Sequence, residues 1–386
     1  MAQRDPAPKR VAQTQKQNSF FGGAAILAAG ILIVKLIGMF YKIPLINIIG
    51  EAGAADFNNA YNIYAVLLTV STAGLPVAVS KLVSEANALN RRNQVRRTFR
   101  LALVLFLTLG LISFLVMFFR ADALAGMMND SKAAAGIRAL APAVVCVGCL
   151  AALRGYSQGH SNMAPTSVSQ IIEALCKLVV GLGLAFWLVK QGKDPDVAAA
   201  GAITGVTVGT VVALVYMVLD FFLSRGREDT HGTDRPDSAG SILANILKIA
   251  VPITLSSSMV GIVTVIDSSL VQGQLQSALN LTEKASRTLY GNYSGALNIY
   301  NLPTSLMAAI TASVIPAVSA ALARRDRRGA ARITGSALRI TALLSFPMGV
   351  GLFVLGTPII RLLFPSLNVE VAGPLLSTLG IVTPWV

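Results

Sequence analysis

The sequence predicts an all-α polytopic membrane protein, and three observations support this fold class. Hydrophobic residues make up 54% of the 386 residues and charged residues only 13%, whereas a soluble domain has about 25% charged residues. Apolar residues are grouped in runs of about 20, the length a helix needs to cross the hydrocarbon layer. Lys and Arg lie in short connectors between these runs, so the net charge of +14 indicates membrane topology rather than a nucleic-acid partner.

Nine apolar segments reach or approach the length of a membrane span. The first follows a polar, basic stretch, residues 1–18, and lacks a clear cleavage site, so we expect an uncleaved first span. A tenth segment begins near residue 371 and continues to Val386, so we expect a fragment of a longer protein. The nine segments are residues 20–49, 60–83, 99–119, 137–153, 165–189, 197–223, 241–266, 293–322 and 332–360.

The distribution of Lys and Arg predicts that the N-terminus is cytoplasmic. Alternate connectors, beginning with residues 1–18, carry 19 Lys and Arg, whereas the intervening connectors carry 8. Cytoplasmic connectors hold such an excess because they face the anionic inner leaflet. We therefore expect a multi-pass protein of the cytoplasmic membrane that contacts anionic inner-leaflet lipids.

A sequence echo predicts two halves of the same orientation. The tripeptide Asn-Ile-Tyr at 62–64 recurs at 298–300, and an Arg-Arg pair follows each copy at the same offset, at 91–92 and 327–328. Two parallel six-span repeats would explain this agreement, and such repeats usually form two lobes. The predicted parts are a cytoplasmic tail (1–18), an N-terminal lobe of spans 1–6 (19–224), a cytoplasmic linker (225–240) and an incomplete C-terminal lobe of spans 7–10 (241–386).

Two lysines within the first span are candidate substrate-binding residues, because charges inside a membrane are costly and usually functional. Lys35 and Lys42 are two helical turns, roughly 10 Å, apart on one face. Gly38 lies between them on the same stripe. Two ammonium groups beside a notch without a side chain suit an anion with several oxygens, such as a pyrophosphate. The alternative for Lys42 is that its ammonium reaches the outer membrane interface.

Other charged residues have structural alternatives. Glu173 and Lys177 have the i, i+4 spacing of a helical ion pair, and we expect them to neutralise each other. Asp267, at the outer end of the seventh span, is a candidate ligand of a coupling cation, but we favour the alternative that it is a solvated helix end.

Two short motifs do not indicate an enzyme or a metal site. Cys146 and Cys149 have a metal-ligand spacing, but the sequence has no second pair. The GYSQG stretch at 155–159 matches a nucleophile elbow, but that motif requires a preceding strand, and here an apolar helix precedes it. We expect neither catalysis nor a cofactor or metal.

The sequence resembles the polysaccharide biosynthesis and stage V sporulation protein B-like proteins. This group is related to lipid II flippases within the multidrug/oligosaccharidyl-lipid/polysaccharide exporter superfamily. The resemblance covers nearly the whole chain and is carried by VKLIGMFYKIP at 34–44, the segment 60–80, RGYSQGH at 154–160 and the segment 165–173.

This resemblance implies a MATE-like, two-lobed bundle, commonly of fourteen spans. Its central cationic cavity accepts an undecaprenyl-pyrophosphate-linked saccharide on the cytoplasmic side and releases it outside. Lys35 aligns with a cationic first-span residue of the flippases, and Lys42 lies within a residue of a second. Asn298 stands near a position that often holds a cation, and we include it and its repeat counterpart Asn62 among the candidate substrate-binding residues.

The leading hypothesis is a flippase for a lipid-linked oligosaccharide, such as the peptidoglycan precursor lipid II, that works by alternating access. Partners would be that substrate and possibly cell-wall synthesis proteins. One alternative is a cation-coupled multidrug exporter of the same superfamily, although the clearest intramembrane charges are positive. The other is a non-transporting scaffold for envelope assembly.

Overall fold

The described part of the chain consists of helices and short connectors. A computed structural model describes residues 7–225, 232–323 and 326–385, and no strand occurs within these ranges. The prediction of an all-α fold is therefore confirmed. Residues 1–6 of the predicted tail and 226–231 of the predicted linker lie outside the described residues.

The helices follow the predicted spans, and each of the ten predicted segments falls on helical structure. Seven helical stretches of the described residues are long and apolar enough to cross a membrane. A π-helical segment, Lys177–Gly181, joins α6 to α7, and a 3-10 turn, Thr383–Trp385, follows α12. The α-helices are α1 (Ala7–Thr72), α2 (Leu75–Ala88), α3 (Arg92–Phe119), α4 (Ala121–Met127), α5 (Ala133–Gly159), α6 (Ala164–Cys176), α7 (Leu182–Lys190), α8 (Pro195–Arg225), α9 (Ala239–Ser277), α10 (Glu283–Ala323), α11 (Arg327–Leu363) and α12 (Val369–Val382).

Helix α1 reverses direction at Gly50. This residue has φ 69° and ψ −171°, a conformation that glycine adopts without steric cost. The ring centroids of Tyr41 and Phe57 are 6.1 Å apart, whereas a straight helix would separate these positions by roughly 24 Å. Residues 7–49 and 51–72 therefore form two arms of a helical hairpin, here called the first arm and the second arm, which correspond to the first two predicted spans.

The chain divides into two compact units. The first contains described residues up to Tyr41 and residues 56–274, and the second contains residues 42–55 and described residues from Leu275 onwards. Each unit has its own apolar core, around Phe106 and Ile246 in the first and around Phe364 and Leu376 in the second. Helix α9 belongs to the first unit up to Gln274, while the division into lobes at 225–240 stays a prediction.

Within the first unit, the second arm packs antiparallel along α9. The Asn62 side chain donates a hydrogen bond of 3.2 Å to Ser268 Oγ, and the Gly74 N–H donates one of 3.1 Å to Thr254 Oγ1. A Cβ atom at Gly74 would overlap the carbonyl of Ala250. The backbones therefore touch where the second arm ends.

The first unit also contains a polar clasp at the start of α3. The carboxylate of Asp234 accepts hydrogen bonds from the backbone N–H groups of Asn93 (2.9 Å) and Gln94 (3.0 Å). Arg91 forms an ion pair of 2.8 Å with Asp237. Because the first N–H groups of a helix have no partner within the helix, Asp234 caps α3 from a distant part of the sequence.

Candidate functional site

The first unit contains an open cavity of about 430 Å³. It lies between the two arms of α1 and helices α5, α6 and α8. Most of its wall is apolar, and its principal polar lining residues are Lys35, Tyr61, Arg154, Gln170, Glu173 and Lys177.

Helical spacing explains how each element supplies this wall. Residues three, four and seven apart share one face of a helix. The first arm lines the cavity with residues 31, 34, 35, 37, 38 and 41, the second arm with 61, 64 and 68, and α6 with 170, 173 and 174. Lys177, the first residue of the π-helical segment, continues the α6 face. A side chain at Gly205 of α8 would overlap the backbone of Gly181, so glycine lets α8 approach close to the π-helical segment.

Two of the residues singled out from the sequence, Lys35 and Gly38, line the cavity together. Lys35 is exposed. A Cβ atom added at Gly38 would meet no atom of the described residues within 4 Å, so the glycine leaves open space beside the lysine. Lys42, the second lysine expected beside this glycine, does not line the cavity.

The ion pair expected between Glu173 and Lys177 is replaced by another. Arg154 donates one hydrogen bond of 3.1 Å to the carboxylate of Glu173 and one of 2.9 Å to Ser169 Oγ. Thr210 donates a further bond of 3.4 Å to Glu173. The forked guanidinium bridges two side chains of α6, and the helix widens into its π-helical segment at Lys177. This geometry corrects the sequence-based expectation.

Lys177 is held by aromatic rings. Its ammonium lies 4.8 Å from the ring centroid of Tyr41 and 4.8 Å from that of Tyr61, within the range of cation–π attraction. Among the described residues, no carboxylate lies within ion-pair distance of it. The positive charge of Lys177 therefore stays at the cavity wall without neutralisation by an anion.

Lys42 and Asn298 meet in the second compact unit. The Lys42 ammonium donates a hydrogen bond of 3.0 Å to Asn298 Oδ1. Since the lysine requires an acceptor, this bond fixes the orientation of the amide. Asn298 Nδ2 is buried, and nothing in the described part of the chain accepts a hydrogen bond from it.

The remaining candidates do not line the cavity. Asn62 donates a hydrogen bond to Ser268 on α9. Asp267, which precedes Ser268 in the sequence, is exposed. The structure thus brings together Lys35, Gly38, Glu173 and Lys177, but leaves Asn62 and Asp267 outside the cavity.

Comparison with known proteins identifies the family. Residues 20–322 match the polysaccharide biosynthesis protein family. The chain belongs to this family. Seven apolar helical stretches among the described residues and its membrane-transporter relatives make it a multi-pass membrane protein.

Three relatives come from Bacillus subtilis (strain 168). The uncharacterized membrane protein YabM is 28% identical over 91% of this chain and 65% of its own length. Stage V sporulation protein B is 24% identical over 91% of this chain and 68% of its own length. Lipid II flippase MurJ is 31% identical over 50% of this chain and 38% of its own length. The chain thus spans about two thirds of the length of the first two relatives.

The fold is that of a MATE transporter. The inward-facing conformation of a multidrug resistance MATE family transporter of the MOP superfamily matches with a TM-score of 0.73 at 15% identity, covering 91% of this chain and 78% of that one. This likeness confirms the predicted MATE-like fold.

The lining residues Tyr61, Arg154 and Gln170 were not predicted from the sequence. Arg154 lies within α5, directly after the predicted span 137–153. Gln170 and Tyr61 carry no charge, so the criterion of charged residues within spans does not select them. The available signal was the stripe that Gln170 shares with Glu173 and Lys177 on one helix.

Proposed function

We propose that this protein is a flippase that moves an undecaprenyl-pyrophosphate-linked saccharide across the cytoplasmic membrane by alternating access. The saccharide would be a peptidoglycan or other cell-wall precursor, such as lipid II. Membership of the polysaccharide biosynthesis protein family and the similarity to a lipid II flippase support the class of transported substrate.

The positive charge of the cavity carries this proposal. Within the described residues, its charged lining consists of Lys35, Arg154, Lys177 and the carboxylate of Glu173. Since Arg154 and Glu173 pair with each other, the remaining charged lining residues are the two lysines. Ammonium groups bind phosphate oxygens by charge-assisted hydrogen bonds, and charged side chains within membrane spans usually mark functional sites.

The substrate contacts proposed in the second unit are Lys42 and Asn298. The amide of Asn298 holds the Lys42 ammonium through its oxygen and keeps its buried Nδ2 as a donor. Both groups are hydrogen-bond donors, and an anionic ligand provides acceptors. This chemistry supports a role in binding the pyrophosphate, although residue 298 is an asparagine where the flippases often have a cationic residue.

The proposed mechanism uses binding groups only. The pyrophosphate pairs with lysines while the polyprenyl tail stays in lipid, and no covalent bond changes, so we propose a transporter that is not an enzyme. We further propose a cytoplasmic N-terminus and contacts of the basic connectors with anionic inner-leaflet lipids. We also propose association with cell-wall synthesis proteins, and Asp267 as a ligand of a coupling cation.

Reconstitution into liposomes tests this function. The purified protein would be assayed for translocation of a defined polyprenyl-pyrophosphate-linked saccharide, beside Lys35→Ala and Lys81→Ala. Lys81 is exposed and paired with Glu85 outside the cavity, so it is the matched control for loss of a lysine. We expect Lys35→Ala to abolish translocation at a normal membrane level, and Lys81→Ala to keep it.

Other results would contradict the proposal. Full translocation by Lys35→Ala would remove Lys35 from the site. Export of cationic drugs without movement of the lipid-linked substrate would indicate a multidrug exporter, and a protein that moves neither class would fit a scaffold.

A further inference from the structure

Helix α3 carries three arginines together on one face near its start. Arg96, Arg97 and Arg100 lie within roughly one helical turn, and the buried residues Thr98 and Phe99 lie on the other side of the helix. Arg100 is exposed, and the other two arginines are partly exposed. Among the described residues, no carboxylate lies within ion-pair distance of any of the three. This group, here called the arginine face, therefore presents its guanidinium groups to the surroundings of the helix.

The polar clasp at the start of α3 uses different residues. Arg91 pairs with Asp237, and Asp234 accepts hydrogen bonds from the first N–H groups of the helix. In an α-helix, position 91 points away from the direction of Arg97 and Arg100. The clasp therefore explains one arginine at this end of α3 and leaves the arginine face without a structural role.

Membrane topology does not require this face either. Basic residues that fix topology need only lie in a cytoplasmic connector, on any side of a helix. At the predicted repeat offset of 236 residues, Arg97 and Arg100 correspond to Ile333 and Ser336 near the start of α11. A connector predicted to have the same orientation thus has no arginine at these two positions.

The arginine face continues along α3 as an apolar stripe. Val104, Leu107 and Leu111 follow Arg100 at steps of three or four residues, and all three are exposed. The 20 residues from Arg100 to Arg120 correspond to roughly 30 Å of helix, the thickness of the hydrocarbon layer. In a membrane, the arginine face therefore lies at the level of the lipid head groups, directly beside the acyl chains that cover the stripe.

The chemistry of this surface matches a lipid with more than one phosphate. A guanidinium group binds phosphate oxygens through two parallel hydrogen bonds. Arg96 and Arg100 are separated by roughly 6 Å along the helix axis, so different guanidinium groups can hold two phosphates joined by a short linker. A free anion would contact only the arginines, whereas a lipid contacts the arginines and the apolar stripe.

We infer that the arginine face of α3 is a binding site for a phospholipid that carries two phosphates, as cardiolipin does. The phosphates bond the three arginines, and the acyl chains lie along the apolar stripe. No residue of α3 lines the cavity of the first unit, so this site is separate from the proposed substrate site. It holds one defined lipid, in addition to the general attraction between basic connectors and an anionic leaflet.

Native mass spectrometry of the purified chain in detergent tests this site. The probes are cardiolipin, phosphatidylglycerol at equal phosphate concentration, and zwitterionic phosphatidylethanolamine. The wild type would be compared with the double variant Arg96→Gln/Arg100→Gln and with Arg120→Gln. Arg120 is the matched control, because it is an exposed arginine at the opposite end of the same helix.

We expect the wild type and Arg120→Gln to retain one cardiolipin and to prefer it to phosphatidylglycerol. The double variant should bind cardiolipin roughly tenfold more weakly, because it loses two charge-assisted contacts. Since a ligand that binds the folded state stabilises it, added cardiolipin should raise the Tm of the wild type and of Arg120→Gln more than that of the double variant.

Three results would overturn the inference. One is full binding of cardiolipin by the double variant, and another is an equal loss in Arg120→Gln. The third is equal retention of phosphatidylglycerol and cardiolipin by the wild type, which would leave only unspecific attraction of charge. The third comparison uses the wild type alone, so it decides the inference even where the double variant does not fold.

Discussion

The guanidinium of Arg154 donates a 3.1 Å hydrogen bond to the carboxylate of Glu173, which ties α5 to α6 at the wall of the cavity. This pair leaves Lys177 without an acidic partner among the described residues. The arrangement of one pair therefore determines how much positive charge the cavity offers to an anion.

Glu173→Gln should destabilise the protein by about 2 kcal/mol, because it leaves the Arg154 charge without its counter-ion in a poorly solvated place. The loss should be smaller than for a fully buried pair, since the side chains are 14% and 26% exposed. Thermal unfolding in detergent measures it. The control, Glu85→Gln, breaks the exposed pair with Lys81 and should change stability by at most about 0.5 kcal/mol; equal effects in the two variants would contradict this interpretation.

Tyr61→Leu should weaken binding of the pyrophosphate lipid roughly threefold to tenfold, since it removes one of the two rings that hold Lys177. Without that ring, the ammonium can turn towards Glu173, four residues earlier, and become neutralised. Tyr61→Phe keeps the ring and should bind like the wild type. If both variants lost affinity equally, the hydroxyl of Tyr61 and not its ring would be responsible.

Gly74→Ala should destabilise the first unit by about 1–3 kcal/mol, the usual cost of overpacking. The new methyl group would overlap the carbonyl of Ala250 on α9. Gly183→Ala is the matched control, because a Cβ atom there meets no described atom within 4 Å and alanine favours a helix. The unfolding midpoints of both variants would be compared with that of the wild type. An unchanged midpoint for Gly74→Ala would show that the end of the second arm and α9 are not in close contact.

The clasp at the start of α3 should weaken in acid. Burial raises the pKa of Asp234, but the N–H groups of Asn93 and Gln94 bond its carboxylate and hold the pKa below its ordinary value. A lowered pKa in the folded state stabilises the protein above the unfolded value, about 3.9, and this contribution disappears as the pH falls through the folded pKa. Asp234→Ala should thus lower the unfolding temperature slightly at pH 7, and the difference from the wild type should disappear as the pH falls through the lowered folded pKa. A difference that stays constant with pH would exclude this role.

The sequence predicted the spans well because hydrophobic run length is a local property. Within the described residues all ten predicted segments coincide with helices, apart from the break at Ala73 and Gly74 in the second, and the reversal at Gly50 lies between the first two predicted spans. The same local logic placed Lys35 and Gly38 on one stripe, which the structure shows at the cavity.

Contacts between helices could not be predicted in this way. The i, i+4 rule considers one helix alone, so it predicts a pair between Glu173 and Lys177. It does not take into account a partner on another helix, such as Arg154 on α5. Nor does one sequence reveal that the amide of Asn298 receives the Lys42 ammonium 256 residues away. These partners are chosen by packing between distant segments, and packing leaves no periodic pattern.

The π-helical segment Lys177–Gly181 has a consequence for comparisons within the family. It holds one residue more than an α-helical turn would, so the part of the helix beyond it is rotated by about 100° relative to an unbroken helix. Relatives whose fifth span is regular should show a one-residue gap here when aligned. Removing Val179 would convert the segment into a regular α-helix. Either the face that carries Gln170 would then turn away from the cavity, or the Leu182–Lys190 helix would turn away from α8, against which it packs.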